Sequence, residues 1–152
     1  LACALKIGAV LGDASENDAD SLYRFGEKIG LAFQLQDDFL DVYGDTKVFG
    51  KAIGGDIVSN KKTYMLINAF LRADEAQREE LTHWVEARDF DEQKKIAAVT
   101  DLYNRIGIDR LAEQKINQYF EEGLSCLKAV GVDEERKQCL TDYVYKLMKR
   151  KY

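Results

Sequence analysis

No proline occurs anywhere in the 152 residues, where average usage would supply roughly seven or eight. Nothing therefore forces a helix to kink or stop, and strand-rich folds with many turns become less favourable. Apolar residues recur at steps of three and four, the spacing of one helical face. Leu22, Phe25, Ile29, Phe33, Gln36/Asp37 and Leu40 show it best, and they predict a long helix from about Asp18 to Tyr43.

Further helices are expected over 1–12, from 61 to about 72, and over 74–88, 91–106, 109–130 and 133–148. Gly107 and Gly131 serve as C-terminal stops. Ser59 or Asn60 is expected to cap the third helix, with Lys61 and Lys62 in its first turn. Gly44 to Val58, with four glycines, reads as a loop. His83 and Trp84 read as partly buried scaffold, and the tyrosines of the last helix as core. The fold class is all-α, one helical domain over residues 1–152. Leu1 opens the chain within a helix, as expected of part of a larger protein.

Charge and cysteine usage remove several function classes. The net charge is −5 without a basic stripe, which disfavours nucleic acid. No apolar run reaches the ~20 residues of a membrane span, and no signal peptide is visible. Three cysteines without C-x-x-C spacing and a single histidine leave no zinc site to assemble. A reducing, cytoplasmic setting is the default expectation.

The chemistry gathers between Gly30 and Tyr64. Asp37 and Asp41 stand four apart on one helical face, and Asp38 and Asp41 three apart. Carboxylates so crowded raise one another's pKa values unless a cation intervenes. Magnesium takes one or two carboxylates plus phosphates and waters, so these acids suit an open site that a diphosphate completes. The bland alternative is a solvated acidic face. Lys51, between Gly50 and Gly54, could swing over bound phosphate. Lys61, read at a helix start, opposes the dipole unless an anion sits beside it. Gln34 could bond a substrate oxygen, or simply satisfy itself within the helix layer. Asp56 is expected to brace a lysine or the loop backbone. Two look-alikes fail. Gly44 to Lys51 has five residues between its glycines where a P-loop needs four, and an EF-hand from Asp37 would need Gly at Val42 and Glu at Val48.

Together these residues spell F-Q-x-x-D-D-x-x-D-x-x-G-D, then G-K-x-x-G-x-D, then K-x-T. The pattern resembles the C-terminal half of trans-isoprenyl diphosphate synthases, the polyprenyl synthetase family that includes farnesyl and geranylgeranyl diphosphate synthases. The resemblance implies a helical bundle of the isoprenoid synthase type. It implies a short-chain prenyltransferase of isoprenoid biosynthesis that joins an allylic diphosphate to isopentenyl diphosphate through an allylic carbocation. Asp37, and Asp41 through water, would hold Mg2+, with Asp38 nearby. Lys51 and Lys61 would act catalytically by binding the departing diphosphate. Phe33 and Gln34 would face the prenyl groups. A homodimer is implied for the full-length enzyme. The family uses two facing aspartate-rich motifs, and this chain carries one; the other is expected upstream of Leu1, which leaves the chain alone without appreciable activity. Alternatives from other classes are a non-catalytic subunit or diphosphate-binding module with a partner chain, and a plain helical interaction domain.

Overall fold

The structure, a computed structural model, describes residues 1–45 and 53–148. Among the described residues there are eight α-helices and no strand. They are α1 (Ala2–Leu11), α2 (Glu16–Tyr43), α3 (Gly55–Val58), α4 (Tyr64–Arg72), α5 (Glu75–Glu86), α6 (Glu92–Ile106), α7 (Ile108–Lys128) and α8 (Glu134–Met148). The all-α expectation holds, and no described helix is long and apolar enough to cross a membrane.

Two compact units emerge: residues 1–34 with 115–148, and residues 35–114. In the first unit, Phe25, Ile29, Phe120, Leu127, Val144 and Leu147 are buried, the inner faces of three amphipathic helices. α2 starts at Glu16, two residues before the periodicity predicts, because Ser15 initiates it. The Asp18 N–H donates to Ser15 Oγ at 3.2 Å, satisfying one of the orphan donors of the first turn. α7 ends at Lys128, so Gly131 is not its stop as expected. The Gly131 N–H instead donates to Asp18 Oδ1 at 2.7 Å. That bond is the largest influence holding the Asp18 carboxyl below its usual range. The tyrosine expectation for α8 also fails: Tyr143 and Tyr145 are exposed, and Val144 and Leu147 face inward at helical spacing.

In the second unit α6 is the hub and packs against α3, α4 and α5. Its core face presents Val99, Leu102 and Tyr103, all buried, and α5 contributes Leu81. α5 begins in a capping box, with Asp74 accepting from the Gln77 N–H at 2.8 Å and Gln77 Oε1 accepting from the Asp74 N–H at 3.0 Å. α6 is capped by Asp91 and stops at Gly107, whose φ of 79° explains the glycine. On α5, Trp84 is half-buried, while His83 is exposed and so departs from the scaffold role expected of it.

The segment between α2 and α4 departs most from expectation. The presumed loop contains a helix, α3, one turn long. Lys61 and Lys62 are not in the first turn of α4; they precede it. Thr63 is the N-cap, its side chain accepting from the Leu66 N–H at 3.2 Å. The lysines stand in the αL-containing turn between the two helices, so the helix-dipole argument for an anion at Lys61 does not apply. A different argument, from ion pairs, replaces it.

Candidate functional site

The acids of α2 lie within its last two turns. Asp38 is buried, and Asp37 and Asp41 are half-buried. Further back on the helix, Phe33 is half-buried and Gln34 exposed. Lys51 lies outside the described residues.

Three of the remaining candidates are brought together. Lys61 Nζ donates to Asp38 Oδ1 at 2.8 Å and to Asp56 Oδ2 at 2.9 Å. The expectation that Asp56 braces a lysine is met, and the partner is Lys61. These two hydrogen bonds, Asp38 first, hold the ammonium well above the ordinary lysine range. Lys61 is thus a permanent cation at any physiological pH. It has three donor hydrogens, of which two are used. Its side chain is 47% exposed, which leaves the third able to meet an incoming acceptor.

Asp41 is tied to the same segment from the other side. Its Oδ2 accepts from the Asp56 N–H at 2.8 Å, and its carbonyl accepts from the Gly54 N–H at 2.6 Å. The first contact places a carboxylate at the N-terminus of α3, where backbone donors are unpaired. Burial raises the Asp41 pKa, and the Asp56 amide partly opposes that shift. Gly54 makes the turn possible. Its φ is 88°, and a Cβ there would come within 2.5 Å of the Ile96 side chain on α6. Only glycine accepts both the backbone angle and the close approach.

The result is an arrangement in which Asp38, Asp41, Asp56 and Lys61 share one short stretch of space, fixed by backbone as much as by side chains. Its three carboxylates offer oxygens, the type of ligand a hard divalent cation takes. Among the described residues no three carboxylate, cysteine or histidine side chains converge into a ready-made metal cluster. The donor set fits an ion that takes part of its coordination from elsewhere, and does not fit an all-protein cage.

Comparison with known proteins assigns the fold and the family. The sequence profile of polyprenyl synthetases matches residues 1–103. The chain belongs to the polyprenyl synthetase family. A short chain isoprenyl diphosphate synthase of Methanothermobacter thermautotrophicus is 38% identical over 112 residues, 74% of this chain and 34% of that protein. A (2E,6E)-farnesyl diphosphate synthase of Mycobacterium tuberculosis is 27% identical over 99% of this chain and 42% of its own length. Among solved structures, a geranylgeranyl pyrophosphate synthase superposes with a TM-score of 0.87 at 33% identity. It covers 99% of this chain and 47% of that one. A Corynebacterium glutamicum geranylgeranyl pyrophosphate synthase, solved with isoprenyl diphosphate and magnesium, superposes with a TM-score of 0.81 at 31% identity, covering 95% and 41%. This polyprenyl synthetase chain therefore spans less than half the length of these relatives.

Sequence reasoning missed one neighbour of these residues, Lys95. It is completely buried on α6 and bonded to the turn that carries Lys61. A signal was present. Lys95 stands four residues before Val99 and seven before Leu102, on the apolar stripe rather than opposite it.

Proposed function

We propose that this chain carries the diphosphate-holding part of a magnesium-dependent prenyltransferase that condenses an allylic diphosphate with isopentenyl diphosphate. The observation that supports it most is Lys61, a permanently charged, part-exposed ammonium pinned between two carboxylates beside Asp41. Such a group supplies charge and not a proton. A departing diphosphate gathers negative charge as its bond to the allylic carbon breaks, and a preorganised cation favours that state.

In this reading Asp37, and Asp41 through water, would hold Mg2+ with Asp38 nearby, and the ion when bound would neutralise part of the diphosphate charge. Lys61 donates its remaining hydrogen to a phosphate oxygen while Asp38 and Asp56 keep it in place. Lys51 is assigned to the same diphosphate, and Phe33 and Gln34 to the prenyl side. The allylic cation, once formed, is attacked by the double bond of isopentenyl diphosphate, and a proton is then lost. The magnesium and isoprenyl diphosphate bound by the Corynebacterium glutamicum relative support the same ligand pair here.

The chain spans 34% of the Methanothermobacter thermautotrophicus relative and 47% of a geranylgeranyl pyrophosphate synthase. A homodimer and a cytoplasmic setting belong to the same proposal for the whole enzyme. Titration calorimetry of the 152-residue chain with magnesium and inorganic pyrophosphate tests the site. We expect saturable binding that needs both components and weakens at least ~10-fold in Asp41→Ala, the worth of one charge-assisted contact. Radiolabelled prenyl transfer by the same chain should be negligible. Absence of pyrophosphate binding would refute the site.

A further inference from the structure

Lys95 has no solvent exposure, yet among the described residues it forms no ion pair. Its Nζ donates to Asn60 Oδ1 at 2.7 Å and lies 3.4 Å from the Val58 carbonyl oxygen. The Phe90 ring covers it, with the centroid 4.2 Å away. Burial pulls the ammonium below the ordinary lysine value. A buried cation without a carboxylate is costly, and a methionine of similar volume would fill the same space without that cost. What the ammonium obtains in return is control of a turn.

Val58 ends α3, so its carbonyl lies at the negative end of that helix. Asn60 has φ 53°, left-handed backbone that a residue with a side chain adopts at a cost unless its surroundings hold it there. Two contacts do so. Lys95 Nζ donates to the Asn60 side-chain oxygen Oδ1, and the Asn60 Nδ2 donates to the Val85 carbonyl at 3.0 Å. Lys61 is the next residue, and its own N–H donates to the Asp56 carbonyl at 2.9 Å. Direction of the chain at Asn60 therefore decides where the Lys61 side chain starts.

We propose that Lys95 is a positioning residue for Lys61: through Asn60 it fixes the left-handed turn that delivers the Lys61 ammonium to Asp38 and Asp56, and so to a bound diphosphate. The diphosphate part rests on the function proposed above; the placement of Lys61 does not. Lys95 touches no reacting group and acts only through Asn60.

The test uses the 152-residue chain with Lys95→Met, which keeps the packing volume, and Asn60→Gly, which can adopt the positive φ but has no side chain through which Lys95 holds it there. Should Lys95→Met fail to fold, Asn60→Gly carries the test alone. Two readouts are taken. The first is magnesium–pyrophosphate affinity in the wild-type and Lys61→Ala backgrounds. The second is the 1H–15N signal of the Lys61 ammonium without ligand, visible while its ion pairs slow exchange. Either variant is expected to weaken affinity roughly tenfold, the value of one charge-assisted hydrogen bond. It should cost nothing further once Lys61→Ala is present, and it should broaden or abolish the Lys61 signal. A lowered unfolding midpoint with affinity and Lys61 signal unchanged would reduce Lys95 to scaffold. An equal loss in the Lys61→Ala background would overturn the route through Lys61. If the wild-type chain binds no pyrophosphate, the proposed function fails, and the Lys61 signal alone decides: its survival in both variants sinks the proposal, its loss upholds it.

Discussion

Among the described residues each of the two units buries one lysine, and the pair differ in an instructive way. Lys137, in the first unit, is 5% exposed and donates to the carbonyls of Lys128 and Val130 at the end of α7. Lys95, in the second, is wholly buried and reaches the last carbonyl of α3. Both put a cation where the helix dipole is negative. Lys137 also pairs with Glu134 at 2.8 Å, one turn away on its own helix. All its partners lie within nine residues of it. The hydrogen-bond acceptors of Lys95 lie 35 and 37 residues away. A local clamp can close a turn wherever the turn happens to be. A non-local one ties a turn to another element, which is what a site assembled from two chain segments requires.

The largest test of this contrast is Lys95→Ala. It empties space inside the α6 face and strands the Asn60 oxygen, and should cost about 2–5 kcal/mol in urea unfolding. Lys137→Ala keeps the locality of its turn and exposes its carbonyls to water more readily, so about 1–3 kcal/mol is expected. An inverted order would show that sequence separation of the partners does not matter here. Asp74→Ala serves as a local control within the second unit. Its capping box is confined to one helix start, and about 1 kcal/mol should be lost. Like Lys137→Ala, it should leave magnesium–pyrophosphate affinity unchanged.

The smallest effect is a pH dependence. The folded-state pKa of Lys95 lies below the ordinary 10.5 because of burial, so the cost of holding the charge is fully present below that lowered value. It disappears as pH rises to 10.5. Wild type should therefore gain stability relative to Lys95→Met between neutral and alkaline pH in parallel urea titrations. A constant difference across that range would mean that the buried ammonium is not penalised.

Much of the scaffold was legible because amphipathic helices announce themselves. Asp74 and Asp91 each cap the helix they precede, Gly107 stops α6, and the stripe from Leu22 to Leu40 is one helix. The family pattern in residues 33–63 was legible for the same kind of reason, since closely spaced motifs survive in one dimension. A cap at Ser59 or Asn60 would put Lys61 in the first turn of α4, where the dipole calls for an anion; Thr63 caps that helix instead, and ion pairs with Asp38 and Asp56 hold the lysine. The α3 turn escaped because four residues show no period. Lys95 and Lys137 escaped because a lysine is usually solvated, although each opens an apolar stripe, the second running through Leu140, Val144 and Leu147.

The order of residues alone determined that this chain is helical, roughly where its longer helices lie and which acids share the end of α2, because periodicity and capping act over a turn or two. Only the tertiary structure decided which carboxylates Lys61 meets and that Lys95 lies beneath its turn. The Lys61–Asp38 and Lys95–Asn60 pairings join residues 23 and 35 positions apart, and they exist only once helices have packed, when the loss of water makes a charged contact strong and an unpaired one expensive.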